Sequence, residues 1–218
     1  MGDEFPISER TRMRRKGSRA TYDRATIHRI IDEALIASVA VAIDGSPHVQ
    51  PMIHCRIGDD LILHGLATNR MLGHIAGGGE ACINVTLLDG LAIARRIEDH
   101  SMLYRSATVY GRGSLIDDER EKHDIMERVF ASLVGRDRFA TLPALEPGYL
   151  KGTIVVRVPI AEAVGKVNQD IDTTEGLDGI WSGLLPVTTQ FGVPTPDARS
   201  DEEGVTPPEA LAAYRRPL

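Results

Sequence analysis

Three consecutive side chains, Thr68, Asn69 and Arg70, set a hydroxyl, an amide and a guanidinium at a strand-to-helix junction. They lie within LILHGLATNRMLGHIAGGG, Leu61 to Gly79, which reads as an apolar strand, a His-Gly turn, a short helix and three glycines. A helix start leaves backbone N–H groups unpaired and carries partial positive charge, so it draws an anion. Thr68 and Asn69 add neutral donors, and Arg70 adds a forked cation that matches phosphate. A phosphate here would use all three. The plainer alternative is a helix cap from Thr68 or Asn69 beside a solvated Arg70, an arrangement far commoner than a phosphate site. The glycine fingerprints of P-loops and dinucleotide folds are absent.

The elements that must hold this junction are mostly strands. Helical spacing of Ile27, Ile30, Ile31, Ala34 and Leu35 predicts an amphipathic helix from Asp23 to about Ala37, with Thr21 or Asp23 as its cap. The period then changes. Ser38–Ile43, a turn at Asp44–Pro47 and His48–Ile57 predict a hairpin. Leu61–Leu66, Ala81–Leu88 (stopped by Asp89-Gly90), Met102–Ile116 and Thr153–Ile160 read as further strands. Asp117–Val134, with one apolar stripe and Gly135 behind it, is the clearest helix. Short hairpin-linked strands with few helices describe a small antiparallel barrel. In His48–Ile57, one face carries Val49, Ile53, Cys55 and Ile57 and is expected in the core. The other carries His48, Gln50, Met52, His54 and Arg56 and is expected to meet a ligand or a partner subunit. Pro51 cannot donate to a ladder, so this strand belongs at an edge or a split in the barrel.

Composition narrows the classes. The 218 residues, 42% hydrophobic and 26% charged, suit a globular protein with a real core. A net charge of −6 argues against a nucleic-acid partner, and no apolar run is long enough to span a bilayer. The N-terminus has no apolar signal core, and Cys55 and Cys82 fit reduced thiols in a cytoplasmic protein. Residues 1–20, with six basic positions from Arg10 to Arg19, read as a solvated, flexible basic arm; 21–192 form the barrel domain and 193–218 a proline-rich tail. Seven histidines are scattered without metal-ligand spacing, so no metal site is expected.

Three segments carry a resemblance: NRML at 69–72, TLLDGL at 86–91 and HSMLYRS at 100–106. With the order of elements around them, from about Arg10 to Pro186, the chain resembles the pyridoxamine 5′-phosphate oxidase-related FMN-binding split barrels, in the branch of nitroimidazole-resistance-type proteins. The resemblance implies a mostly β, antiparallel Greek-key split β-barrel with flanking helices, binding FMN at the interface of a homodimer. It implies that Thr68, Asn69 and Arg70 hold the phosphate, with His64 on the strand before them. Gln50, Pro51 and Met52 would run along the flavin ring, and Arg105 and Ser106 would reach it. Trp181, in Trp-Ser-Gly at 181–183, would contact it from the other subunit.

The resemblance has gaps. His54 stands where the true oxidases carry a Lys for the substrate phosphate. Their C-terminal arginine signature is missing, since Tyr214-Arg215-Arg216 has another context. The expected activity is therefore an FMN-dependent oxidoreductase acting on an unknown small molecule, not vitamin B6 oxidation. The alternatives are a flavin carrier or sensor without turnover, or a haem-binding split barrel. FAD or F420 could replace FMN.

Overall fold

The computed structural model of the chain describes residues 3–171, 177–212 and 214. Arg215 and Arg216, weighed above, lie outside them. In chain order the elements begin with β1 (Ala20–Thr21), α1 (Arg24–Glu33), β2 (Ala37–Ile43), β3 (Ser46–Met52), β4 (His54–Ile57), β5 (Asp60–Leu66) and α2 (Arg70–Ala76). Next come β6 (Glu80–Ile93), β7 (Ser101–Arg112), β8 (Ser114–Leu115), α3 (Glu119–Val134), α4 (Arg136–Phe139) and α5 (Pro147–Lys151). The last are β9 (Thr153–Pro159), β10 (Glu162–Asn168), β11 (Gly183–Pro186), α6 (Ala198–Glu202) and α7 (Glu209–Ala212). No helix among the described residues is long and apolar enough to cross a membrane.

Two antiparallel sheets form the barrel. One runs β1-β10-β7-β6-β2-β3, with β11 also on β6; the other runs β4-β5-β9-β8. The main core lies between them and under α1, built from Ile27, Ile30, Val39, Leu63, Ile83 and Val156 among others. A smaller cluster, with Cys55, Ile62, Met126 and Val155, fills the space between the small sheet and α3. Both long helices start as their sequences require. The Asp23 carboxylate accepts from the Thr26 N–H at 2.7 Å, and that of Asp118 from the Glu121 N–H at 2.7 Å. The β2–β3 turn is two residues long, with Asp44 at φ 52° and Gly45 at φ 77°, the primed geometry that matches strand twist.

The site depends on a break. The single strand expected over His48–Ile57 is interrupted at Ile53, and its halves join different sheets. β3 is the free edge of one sheet and β4 the free edge of the other, so a seam opens between them. The expected alternation of faces changes there. Val49 and Ile53 are exposed, Met52 packs on the main core, and His54 is only 1% exposed with Nε2 2.9 Å from the Ile31 carbonyl oxygen. A strand that changes sheets is covered on both faces by different layers, so period-two reasoning fails across it.

Other elements differ for traceable reasons. β6 does not stop at Asp89-Gly90 but bulges there and runs on to Ile93. The long strand from Met102 passes between sheets at Gly113, where a Cβ would lie 2.2 Å from Ile75 Cγ2. The lead-in expected to be solvated and flexible packs on the barrel instead. Phe5 is 2% exposed in the core, and the Arg24 guanidinium lies 4.1 Å from its ring centre. Arg10 donates to Glu80 at 2.6 Å and to Glu162 at 2.8 Å, and stacks over Tyr110.

Hydrogen bonds from Arg10 hold the Glu80 and Glu162 carboxyls below the usual glutamate range. Carboxyls lowered in the folded state stabilise it fully above their unfolded value of about 4.3 and lose that contribution as the pH falls through the lowered values. Arg10→Ala is thus expected to lower the urea midpoint at pH 7, with the gap to wild type narrowing as the pH is taken below about 4. A gap that stays constant from pH 7 to 3 would show that this clasp contributes no ionic stabilisation.

Candidate functional site

The seam between β3 and β4 holds a hollow of about 420 Å³ lined by Gln50, Pro51, Met52, Ile53, His64 and Asn69. A second, of about 280 Å³, lies beside it and is lined by His48, Val49, Gln50, Asn69, Arg70 and Met71, with Ile43. Gln50 and Asn69 belong to both and form the partition, Asn69 Nδ2 standing 3.5 Å from Gln50 Oε1. Residues expected to act together, Gln50, Pro51, Met52, His64, Asn69 and Arg70, are thus gathered from β3, β5 and the start of α2.

Each takes its position from local structure. Asn69 caps α2, its Oδ1 accepting from the Leu72 N–H at 3.0 Å, which leaves the amide nitrogen turned to Gln50. Thr68 lies in the exposed turn just before. Arg70 extends outward and donates to Asp44 of the β2–β3 turn at 3.0 Å. Both partners are well exposed, so the pair is worth little in water and an anion can displace Asp44. Gly65 lets the strand end approach α2, since a Cβ there would meet Leu72 Cδ1 at 2.8 Å.

His64 differs from its neighbours. Neither ring nitrogen has a hydrogen-bond partner among the described residues, and Nδ1 is buried. Its ring meets Phe130 of α3 edge-on at 6.1 Å, and Phe130 meets Tyr149 at 5.9 Å. Burial lowers its pKa, so the imidazole is neutral at pH 7.

Arg105 and Ser106 line neither hollow. Ser106 pairs in register with Thr86 on one side and Lys166 on the other, its hydroxyl donating to the Lys166 carbonyl at 3.5 Å. The Arg105 fork is taken by Glu33 at the end of α1, at 2.5 and 2.8 Å, and by Asp89 of the β6 bulge, at 2.9 and 2.8 Å. Hydrogen bonds to Glu33, then to Asp89, push the guanidinium pKa up and keep it charged. This knot explains two of the sequence signatures. TLLDGL supplies Asp89 to the knot and Gly90 to a close approach, where a Cβ would lie 2.8 Å from the Leu185 carbonyl oxygen. HSMLYRS supplies Arg105.

Trp181 is 67% exposed, away from the core, with its ring over Gly183 at the start of β11. Beside it, Leu185, Leu91 and Met102 lie opposite one another across β11, β6 and β7. Leu185 and Met102 are each 55% exposed, leaving an apolar row on the surface. Sequence reasoning did not find Asp44, Glu33, Asp89 or Phe130, whose roles come from contacts between distant segments.

Two sheets parted along one seam, with an amide- and arginine-lined hollow at the parting, define a split barrel. The model of the pyridoxamine 5′-phosphate oxidase family matches residues 23–167, and the chain belongs to that family. No curated protein matches it. Among solved structures, the flavocytochrome Anf3 from Azotobacter vinelandii is similar at 30% identity and TM-score 0.85, over 95% of this chain and 97% of that one. The FAD and haem binding protein from Mycobacterium smegmatis is similar at 29% identity and TM-score 0.81, over 88% of this chain and 95% of that one. A Bacteroides thetaiotaomicron protein named for 5-nitroimidazole antibiotic resistance shares the fold, at 24% identity and TM-score 0.55 over 68% of this chain and 86% of its own.

Removing Arg105 would leave two carboxylates facing each other with no cation. Arg105→Ala is expected to cost about 2 kcal/mol, below the 3–5 of a fully buried pair because these groups are partly exposed. Arg105→Lys should recover only part, since an ammonium cannot serve both carboxylates in forked geometry. Urea unfolding checks this; an unchanged midpoint for the alanine variant would show the knot to be dispensable.

Proposed function

We propose that the chain is a flavin-nucleotide redox protein whose phosphate site is Arg70 with Asn69 and Thr68, and whose flavin lies along β3. The observation that carries this reading is the seam itself: an arginine held only by a weak surface pair, beside two amides and a hollow, on a split-barrel scaffold. The phosphate next to the ribityl chain is common to FMN and FAD, and either would present it to Arg70. Bound flavin would accept and pass on a hydride or electrons. Arg70 neutralises the phosphate, and Gln50 and Asn69 offer amides to it.

Oxidation of a vitamin B6 phosphate fits poorly. His54 is sealed in the core against the Ile31 carbonyl and cannot meet a substrate phosphate.

A second copy of the chain fits the apolar row Leu185, Leu91 and Met102, and would bring its Trp181 over the flavin. A large aromatic ring left on the surface of one subunit is the feature this arrangement would use. Met102→Asp is expected to yield monomers in sedimentation velocity and to weaken flavin binding together with dimerisation. Monomers that bind flavin as tightly as wild type would separate the two.

A second prosthetic group is supported by a specific observation. At the His64 end of the seam, Leu66 is 73% exposed, with Ile53 and Tyr149 also open to solvent. The Azotobacter and Mycobacterium proteins, similar along most of their length, are a flavocytochrome and an FAD and haem binding protein. An imidazole with Pro51, Met52 and Ile53 on the same hollow suits haem, and this chain is read as carrying haem beside the flavin.

The phosphate site makes a direct prediction. FMN should bind far more tightly than riboflavin, and Arg70→Ala should lose about ten- to a hundredfold in FMN affinity, the worth of one charge-assisted contact. Asp44→Asn, which frees Arg70 from its surface partner, should tighten FMN. Fluorescence titration checks all three, and equal affinities for riboflavin and FMN would remove the phosphate from this junction.

A further inference from the structure

We propose that His64 is the protein ligand to haem iron, bonding through Nε2 from the floor of the seam. The inference rests on the haem reading above and is independent of where the flavin phosphate sits.

An iron ligand must be a neutral imidazole with one nitrogen free and pointing into space that can hold a tetrapyrrole. The other histidines described are engaged or differently placed. His28 faces Asp59, His54 is bonded to the Ile31 carbonyl, His100 to the Arg96 carbonyl, and His123 lies beside Asp124 and Glu127. His48 lines the arginine-side hollow, and His74 packs against Gly79. His64 alone among the described histidines lines the 420 Å³ hollow. No described residue hydrogen-bonds to its ring, so Nε2 has no protein partner to give up. Its Nδ1 is closed off from solvent, which leaves Nε2 as the atom for the hollow.

The surroundings fit the same group. Met52, Pro51 and Ile53 form one apolar side of the hollow. Leu66 follows two residues after His64 on β5, so it projects from the same face, and it is the most exposed large apolar side chain of that strand. Phe130, edge-on to the imidazole, fixes the ring plane and is itself backed by Tyr149. Burial keeps the ring unprotonated, so its lone pair is available at neutral pH. The Gln50–Asn69 pair stands between this end of the seam and the Arg70 end, so the two prosthetic groups would be neighbours on either side of it.

The test uses the full-length protein stripped of cofactors and titrated with hemin, read by absorbance and electron paramagnetic resonance. Wild type is expected to bind hemin with the signature of imidazole-ligated iron. His64→Gly should lose at least about tenfold in hemin affinity together with that signature. Free imidazole added to the His64→Gly complex should restore the signature, which a merely structural role would not do. Should the glycine variant fail to fold by circular dichroism, His64→Met keeps the bulk and must shift the spectrum, a thioether having replaced the imidazole. Wild type without imidazole-ligated iron, or variants that keep its spectrum and affinity, would overturn the assignment. FMN titrations of the same variants keep the two readings apart: FMN affinity should stay within about threefold of wild type, a change under 1 kcal/mol. Lost FMN binding with unchanged hemin binding would place His64 with the flavin and overturn the proposal.

Discussion

A strand that changes sheets governs this molecule. β3 is paired on one side only, carries at Pro51 a residue with no N–H to give, and ends at Met52; the chain breaks at Ile53 before β4 begins in the other sheet. Backbone groups along a continuous barrel strand would have been paired on both sides and closed to a ligand. The break leaves two free edges, and the side chains beside it, Gln50, Ile53 and His64 among them, line a hollow. The phosphate, flavin and haem proposals made above all use that seam.

The seam stays open only because other contacts fix its walls. Asn69 starts α2 and thereby points Arg70 outward and its own amide at Gln50. The short primed turn Asp44-Gly45 brings a carboxylate to Arg70, strong enough to orient it and weak enough to be displaced. Farther off, Arg105 ties α1 to the β6 bulge. Past the bulge β6 runs on to pair with β11, and Trp181 lies exposed just before β11 begins. Local caps set the Arg70 end; a long-range ionic knot sets the apolar face proposed to take a second subunit.

The sequence makes the local half of this legible. Asp23 and Asp118 cap helices whose apolar stripes are plain, and Asp44-Gly45 announces a hairpin. Thr68-Asn69-Arg70 reads as a cap or an anion site, and the structure has Asn69 as the cap while leaving Arg70 only weakly engaged. Contacts between distant segments are not legible. Asp89-Gly90 has the composition of a stop, and only Arg105 sixteen residues on, with β11 alongside, makes it a bulge. His54 sits on what reads as a ligand face because alternation cannot show a strand changing sheets. Phe5 is a lone aromatic among charges, and its burial depends on Arg24 and α1. Pro51 did announce the edge, since a missing donor is a local property that no tertiary contact can restore.

The central claim is that the Arg70 end of the seam holds a phosphorylated flavin. The mass of what the purified, freshly expressed protein releases on heat denaturation tests it most directly. The account predicts a flavin nucleotide, FMN or FAD, in an amount that falls sharply in Arg70→Ala. Release of no phosphorylated flavin, from a protein that also fails to take up FMN when it is supplied, would contradict it.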